Sequence, residues 1–101
     1  MKPEEQYDIV KTLVKDYFNK YALEALPYDT LLLASDHIID IGTSILCAKW
    51  KIGYPPGSFA QAIVDNDLKE AFGRADDINQ QCIKFYVMLM YNVGAPASLF
   101  Q

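Results

Sequence analysis

Arg74 is the only arginine of the chain, and it stands within a polar run that reads NDL and then RADDIN: Asn66, Asp67, Arg74, Asp76, Asp77 and Asn79. A guanidinium holds a carboxylate or phosphate through paired hydrogen bonds that lysine cannot reproduce. Helices starting inside this run would add the positive pole of their free N–H groups. The residues therefore allow two compatible readings. Asp67, Asp76 and Asp77 cap helices while Arg74 pairs with one of them, or the run forms a small anion site.

A second set precedes the loop Pro55-Pro56-Gly57-Ser58. Lys49, Trp50, Lys51 and Tyr54 place two cations beside two aromatic faces, an arrangement suited to a phosphate and a stacked base. Amides at a helix start on Ser58 would help. Alternatively, Trp50 simply covers an edge of the core. The ligand-binding candidates are thus Arg74, Lys49, Lys51, Trp50, Tyr54, Ser58, Asn66, Asp67, Asp76 and Asn79.

Catalytic chemistry has less to draw on. Asp36 and Asp40 are one helical turn apart beside His37, but the chain has no second histidine, and a two-carboxylate face is ordinarily solvated. Ser44 and Ser58 lack a recognisable activating setting. PPGS also lacks the glycines and the Lys-Ser/Thr of a phosphate-binding loop. The expectation is a protein that is not an enzyme, with no catalytic residues, metal or cofactor.

These residues sit on a chain of 101 residues and 11.4 kDa, the size of one domain. Folding a chain this small buries about 65% of its surface. Leu, Ile, Val and Phe make up 29 of the 101 residues, enough to exclude a wholly disordered chain. A net charge of −4 argues against general nucleic-acid or anionic-membrane binding. Cys47 and Cys82 are too few for a disulfide scaffold, and both fall in apolar helical patterns. The start of the chain has no signal-peptide apolar region, and the strongest apolar run, residues 85–91, is far shorter than the ~20 residues of a membrane span. A soluble cytoplasmic protein is expected.

The periodicity predicts an all-α protein in a single domain, with five helices. Pro3, Glu4 and Glu5 open the first, in which Tyr7, Val10, Val14, Tyr17 and Tyr21 recur at three- and four-residue spacings over about 4–24. Leu31, Ala34, Ile38, Ile41, Ile45, Ala48 and Ile52 continue the same alternation over about 29–51 without a fault, with Asp29 or Thr30 as N-cap and Gly53 as stop. Residues 1–52 are expected to form an antiparallel helical hairpin. Beyond the loop, three capping boxes (Ser58 with Gln61, Asp67 with Glu70, Asp77 with Gln80) predict short helices at about 59–65 and 68–74 and a longer one at about 78–92. The last carries apolar residues nearly all round, as expected of a helix buried centrally or between subunits, and predicts a homo-oligomer.

The order PPGSFAQAIVDNDLKEAFGRADDIN followed by YVMLMYNVGAP resembles a family of small bacteriophage and prophage proteins of uncharacterised function. It covers about residues 53–96, chiefly 58–94, and leaves the hairpin and the tail, residues 95–101, unmatched. The resemblance implies a phage accessory origin and, for a phage-encoded protein, the host cytoplasm. The function expected from these features is sequestration of a nucleotide-type immune signal by an oligomer. The alternatives are a protein–protein inhibitor or adaptor of a host enzyme, and a virion assembly component.

Overall fold

The computed structural model describes residues 1–100 and is all-α. Five α-helices follow one another: α1 (Pro3–Ala25), α2 (Tyr28–Trp50), α3 (Ser58–Val64), α4 (Leu68–Arg74) and α5 (Asp77–Asn92). A 3₁₀ turn, Ala97–Phe100, ends the described chain. No helix among the described residues is long and apolar enough to cross a membrane.

The apolar stripes determine how the long helices meet. Val10, Val14, Tyr17 and Phe18 of α1 are buried, as are Ile38, Ile39, Ile45, Leu46 and Cys47 of α2. Gln6 meets Gly53 just beyond α2, and Lys11 pairs with Asp40 at 3.0 Å, so contacts of α1 run down the chain as those of α2 run up. Gly42 lies where α1, α2 and α5 cross. A Cβ placed there would come within 3.0 Å of both Val14 Cγ1 and Leu89 Cδ2. A side chain at this position would press on the Val14 and Leu89 side chains, and glycine lets the three helices approach closely without that contact.

α5 packs against both α1 and α2 with Cys82, Ile83, Phe85, Tyr86 and Leu89 buried. Phe85 meets Tyr17 and Phe18 with ring centroids 5.7 Å apart in each case, and Tyr86 meets Phe59 of α3 at 5.8 Å. One helix thereby joins the first half of the chain to the second. Its other side is open: Lys84, Val87 and Tyr91 are exposed.

Several local expectations are corrected. The helix of α2 is kinked at Ala34, whose backbone leaves helical geometry (φ −135°, ψ 18°) while its side chain stays in the core with Ile38 and Ile45. α2 starts at Tyr28 after Pro27, so Asp29 and Thr30 lie inside its first turn, and the Thr30 hydroxyl bonds Gln81 instead. The left-handed end of α2 is Lys51 (φ 58°), with Gly53 (φ 68°) making a second left-handed step. Gly57 rather than Ser58 precedes α3, while Asp76 rather than Asp77 caps α5. A side-chain cap acts on amides two or three residues ahead, so Asp76 reaches the Asn79 N–H at 2.7 Å whereas Asp77 is already helical.

The sequence pattern carries no sign of the Gln6 clamp. Gln6 Nε2 donates to the Leu99 carbonyl at 3.2 Å, while its Oε1 accepts from Gly53 N at 3.2 Å. Buried Leu99 and the loop after α2 are both tied to the start of α1.

Two glycine substitutions should act in opposite directions. Gly42→Val would force the three-helix crossing apart and should cost about 1–3 kcal/mol. Gly73→Ala, with open space around the new Cβ in the helical α4, should add about 0.4–1 kcal/mol. Urea unfolding followed by circular dichroism measures both.

Candidate functional site

The residues singled out by type are distributed among separate local contacts. Arg74 Nε donates to Glu70 Oε2 at 3.2 Å, one turn back on α4 and exposed to solvent. Asp67 caps α4 by accepting from Glu70 N at 3.1 Å. Asp76 caps α5, and its other carboxylate oxygen lies 3.6 Å from His37 Nε2. That imidazole nitrogen is shielded from solvent without a hydrogen-bond partner, since 3.6 Å exceeds hydrogen-bond range. The Asp36, His37 and Asp40 trio diverges, with His37 turned towards Asp76 and Asp40 towards Lys11.

Asn79 is buried, and its Oδ1 accepts the Tyr86 hydroxyl at 2.9 Å. Burial, and next Cys82 and Asp76, push the Tyr86 phenol above its ordinary ionisation. Its proton therefore stays available for that bond. Asn79 thus satisfies the polar end of a ring at the core's centre, which a buried hydroxyl requires.

Around the loop, the four candidates also part. Lys49 donates to the Met90 carbonyl in the last turn of α5. A cation is favoured at such a helix C-terminus. Trp50 packs half-buried against the core, and Lys51 is exposed. Tyr54 tilts onto Tyr7 of α1, ring centroids 5.8 Å apart. Ser58 is exposed in the first turn of α3. Asn66 takes the left-handed conformation (φ 59°) in the turn between α3 and α4. Of the ten candidates, Lys49, Asn66 and Asp67 border one continuous trough.

This trough runs between α3–α4 and α5. Its larger part, about 280 Å³, is lined by Lys49, Ile63, Val64, Asn66, Val87, Met90 and Tyr91. A shallower part continues past Ile63 and Val87 to Ile83, Asp67 and Leu68. The floor is apolar, one end carries an ammonium and the other a carboxylate. Leu68 is 64% exposed and Tyr91 83% exposed. Surface apolar residues arranged contiguously mark interaction sites more often than scattered ones do.

Sequence spacing gave no sign of a second and larger cleft, about 650 Å³, between α1 and the end of α5. Its walls come from residues some seventy positions apart, so no local pattern marks it.

The cysteines are buried and unlinked. Burial pushes both thiols up to about 11, from an ordinary 9.0, with Asp76 adding to the effect at Cys82. Thiols this hard to ionise are poor nucleophiles.

Against known proteins, the chain matches no family model, no curated protein and no solved structure.

Two outcomes follow from the buried polar groups. Asn79→Leu leaves the Tyr86 hydroxyl unpaired and should cost about 1–3 kcal/mol. Adding Tyr86→Phe should recover part of that loss, a non-additivity that a double-mutant cycle in urea reads directly. The thiols set a pH dependence. Because their folded values lie above the ordinary 9.0, the folded state retains protons that the unfolded chain releases, so their stabilisation is complete below 9.0 and is lost as pH rises towards about 11. Thermal melting across that window should show a shallower decline in the Cys47→Ala/Cys82→Ala variant.

Proposed function

We propose that the chain is a non-catalytic phage accessory protein that acts by binding other proteins, and that it works as a self-associated pair joined through the trough. The observation that carries this reading is the trough's pattern: an apolar floor at Ile63 and Val87, a cation (Lys49) at one end and a carboxylate (Asp67) at the other. Turned by a two-fold axis, that pattern complements itself, Lys49 of one copy facing Asp67 of the next, as an isologous interface requires. Exposed Tyr91 and Leu68 flank it and supply apolar contact of the kind that anchors interfaces. Phe72, exposed one turn beyond Leu68, extends the same face of α4.

Sequestration of a nucleotide-type signal has weaker support. Lys49 and Asn66 share the trough, but Arg74 lies outside it, paired with Glu70. A phosphate there would have one lysine to hold it and the Asp67 carboxylate at the far end against it.

Light scattering of the purified protein at micromolar concentration should give twice 11.4 kDa. Val87→Glu should return it to the monomer with unchanged far-ultraviolet circular dichroism. A monomer in the unaltered protein overturns the pairing. A host enzyme held in pull-down by the Arg74→Ala variant as tightly as by the parent supports protein binding. Calorimetric heat with cyclic or ADP-ribose-derived nucleotides, lost in Lys49→Ala, would favour the nucleotide reading instead.

A further inference from the structure

The cleft between α1 and the end of α5 differs from the trough in both shape and charge. At about 650 Å³ it falls in the size range of small-molecule sites. One wall is a single face of α1, on which Tyr17 and Tyr21 stand one turn apart with ring centroids 4.7 Å from each other. The opposite wall is Met88 and the chain from Asn92 to Gly94. The two walls are fastened together. Asn92 Nδ2 donates to the Tyr17 hydroxyl at 3.1 Å and to the Met88 carbonyl at 2.9 Å, which fixes both the amide and the phenol. The cleft is therefore formed before any ligand arrives.

Its electrostatics favour a cation. Asp16 and Glu24 line it one turn on either side of Lys20, and among the described residues neither carboxylate is in an ion pair. The negative end of the α5 dipole closes the cleft; the last turn has no basic side chain of its own, and Lys49 of α2 bonds its Met90 carbonyl from the trough side. The last turn of α1, which carries Glu24, likewise holds no basic side chain. Lys20 is the single basic residue that lines the cleft. The faces of Tyr17 and Tyr21 add the attraction of an aromatic quadrupole for an ammonium. Met88, Leu13 and Val93 offer apolar surface for the rest of the molecule.

We propose that this cleft binds a small protonated organic amine with an aromatic or apolar body, its ammonium drawn to a carboxylate of the α1 wall, Asp16 or Glu24, and its body against Tyr17, Tyr21 and Met88. The site lies apart from the trough and does not depend on self-association. An anionic ligand such as a nucleotide phosphate would meet the wrong field here.

The test is a titration of the ¹⁵N-labelled protein with 2-phenylethylammonium, and in parallel with neutral 2-phenylethanol and anionic phenylacetate. Saturable shifts are expected at Tyr17, Tyr21, Asn92 and Gly94 with the ammonium, with weaker response to the alcohol and weakest to the carboxylate. Asp16→Asn with Glu24→Gln should weaken ammonium binding by about three- to tenfold, while Lys20→Gln should strengthen it. All three positions are exposed on α1, so circular dichroism of the variants should match the parent. Absence of saturable shifts with the ammonium overturns the proposal. So does equal binding of all three probes, or binding that the carboxylate variants leave unchanged.

Discussion

Everything else in the molecule is arranged around the burial of two adjacent rings, Phe85 and Tyr86, in the middle of α5. Consecutive residues on a helix point about 100° apart, so two neighbouring buried aromatics require cover on two sides at once. Tyr17 and Phe18 of α1 supply one side, and Phe59 of α3 meets Tyr86 on the other. That demand draws the helices from both halves of the chain onto α5. Truncating a ring in such a setting typically costs about 3–5 kcal/mol, a large share of the stability of a domain this size. The Tyr86 hydroxyl adds a polar requirement, met by Asn79 two turns earlier on the same helix. Gly42 eases the approach of α2 to the rings' helix, because a Cβ there would press on Leu89 and Val14.

The same constraint explains what stays outside. A helix with cover on two sides has only its third side left, and on α5 that side carries Lys84, Val87 and Tyr91. α3 and α4 are too short to reach across it: each has seven residues, or about 10 Å of length. The trough is the space left between these short helices and the outer side of α5. The larger cleft has a related origin. Residues 13–24 of α1 face the end of α5, and the chain turns at residues 93–96 to bring Leu99 back to the start of α1 under the Gln6 clamp. The space between that face of α1 and the turn remains open.

Helix number, order and extent were legible in the sequence because each rests on local periodicity. Val10, Val14 and Tyr17, or Ile38, Ile41 and Ile45, recur at three- and four-residue spacing whatever the rest of the chain does. Cap positions were legible only to within a residue. Two acids stand side by side at Asp76 and Asp77, and backbone geometry decides which is the cap. The break at Ala34 carried no signal, since alanine is the strongest of helix formers. Candidate sites were least legible. Asp67, Asp76, Asn79 and Arg74 look like chemistry when read by type, yet the chain uses them on caps, a buried phenol and a one-turn ion pair. The carboxylates of the cleft, Asp16 and Glu24, sit on what reads as an ordinary solvated helix face. Their setting depends on residues 88–94, and long-range apposition leaves no local trace.

The distribution of charge gives the two open surfaces different characters. Lys11 is paired with Asp40, Arg74 with Glu70, and Lys49 with a helix-end carbonyl, so much of the chain's limited positive charge is held in internal contacts. The net charge of −4 is therefore not spread evenly. It is felt most where Asp16 and Glu24 converge with helix C-termini around a single lining lysine, Lys20, which is the cleft beside α1. Around the trough the signs alternate from end to end, and a surface of that kind discriminates by shape and register more than by net charge. In the roles proposed for them, one surface selects a ligand by the sign of its charge and the other a partner by pattern. A single small domain accommodates both because the burial of Phe85 and Tyr86 fixes α5 between them.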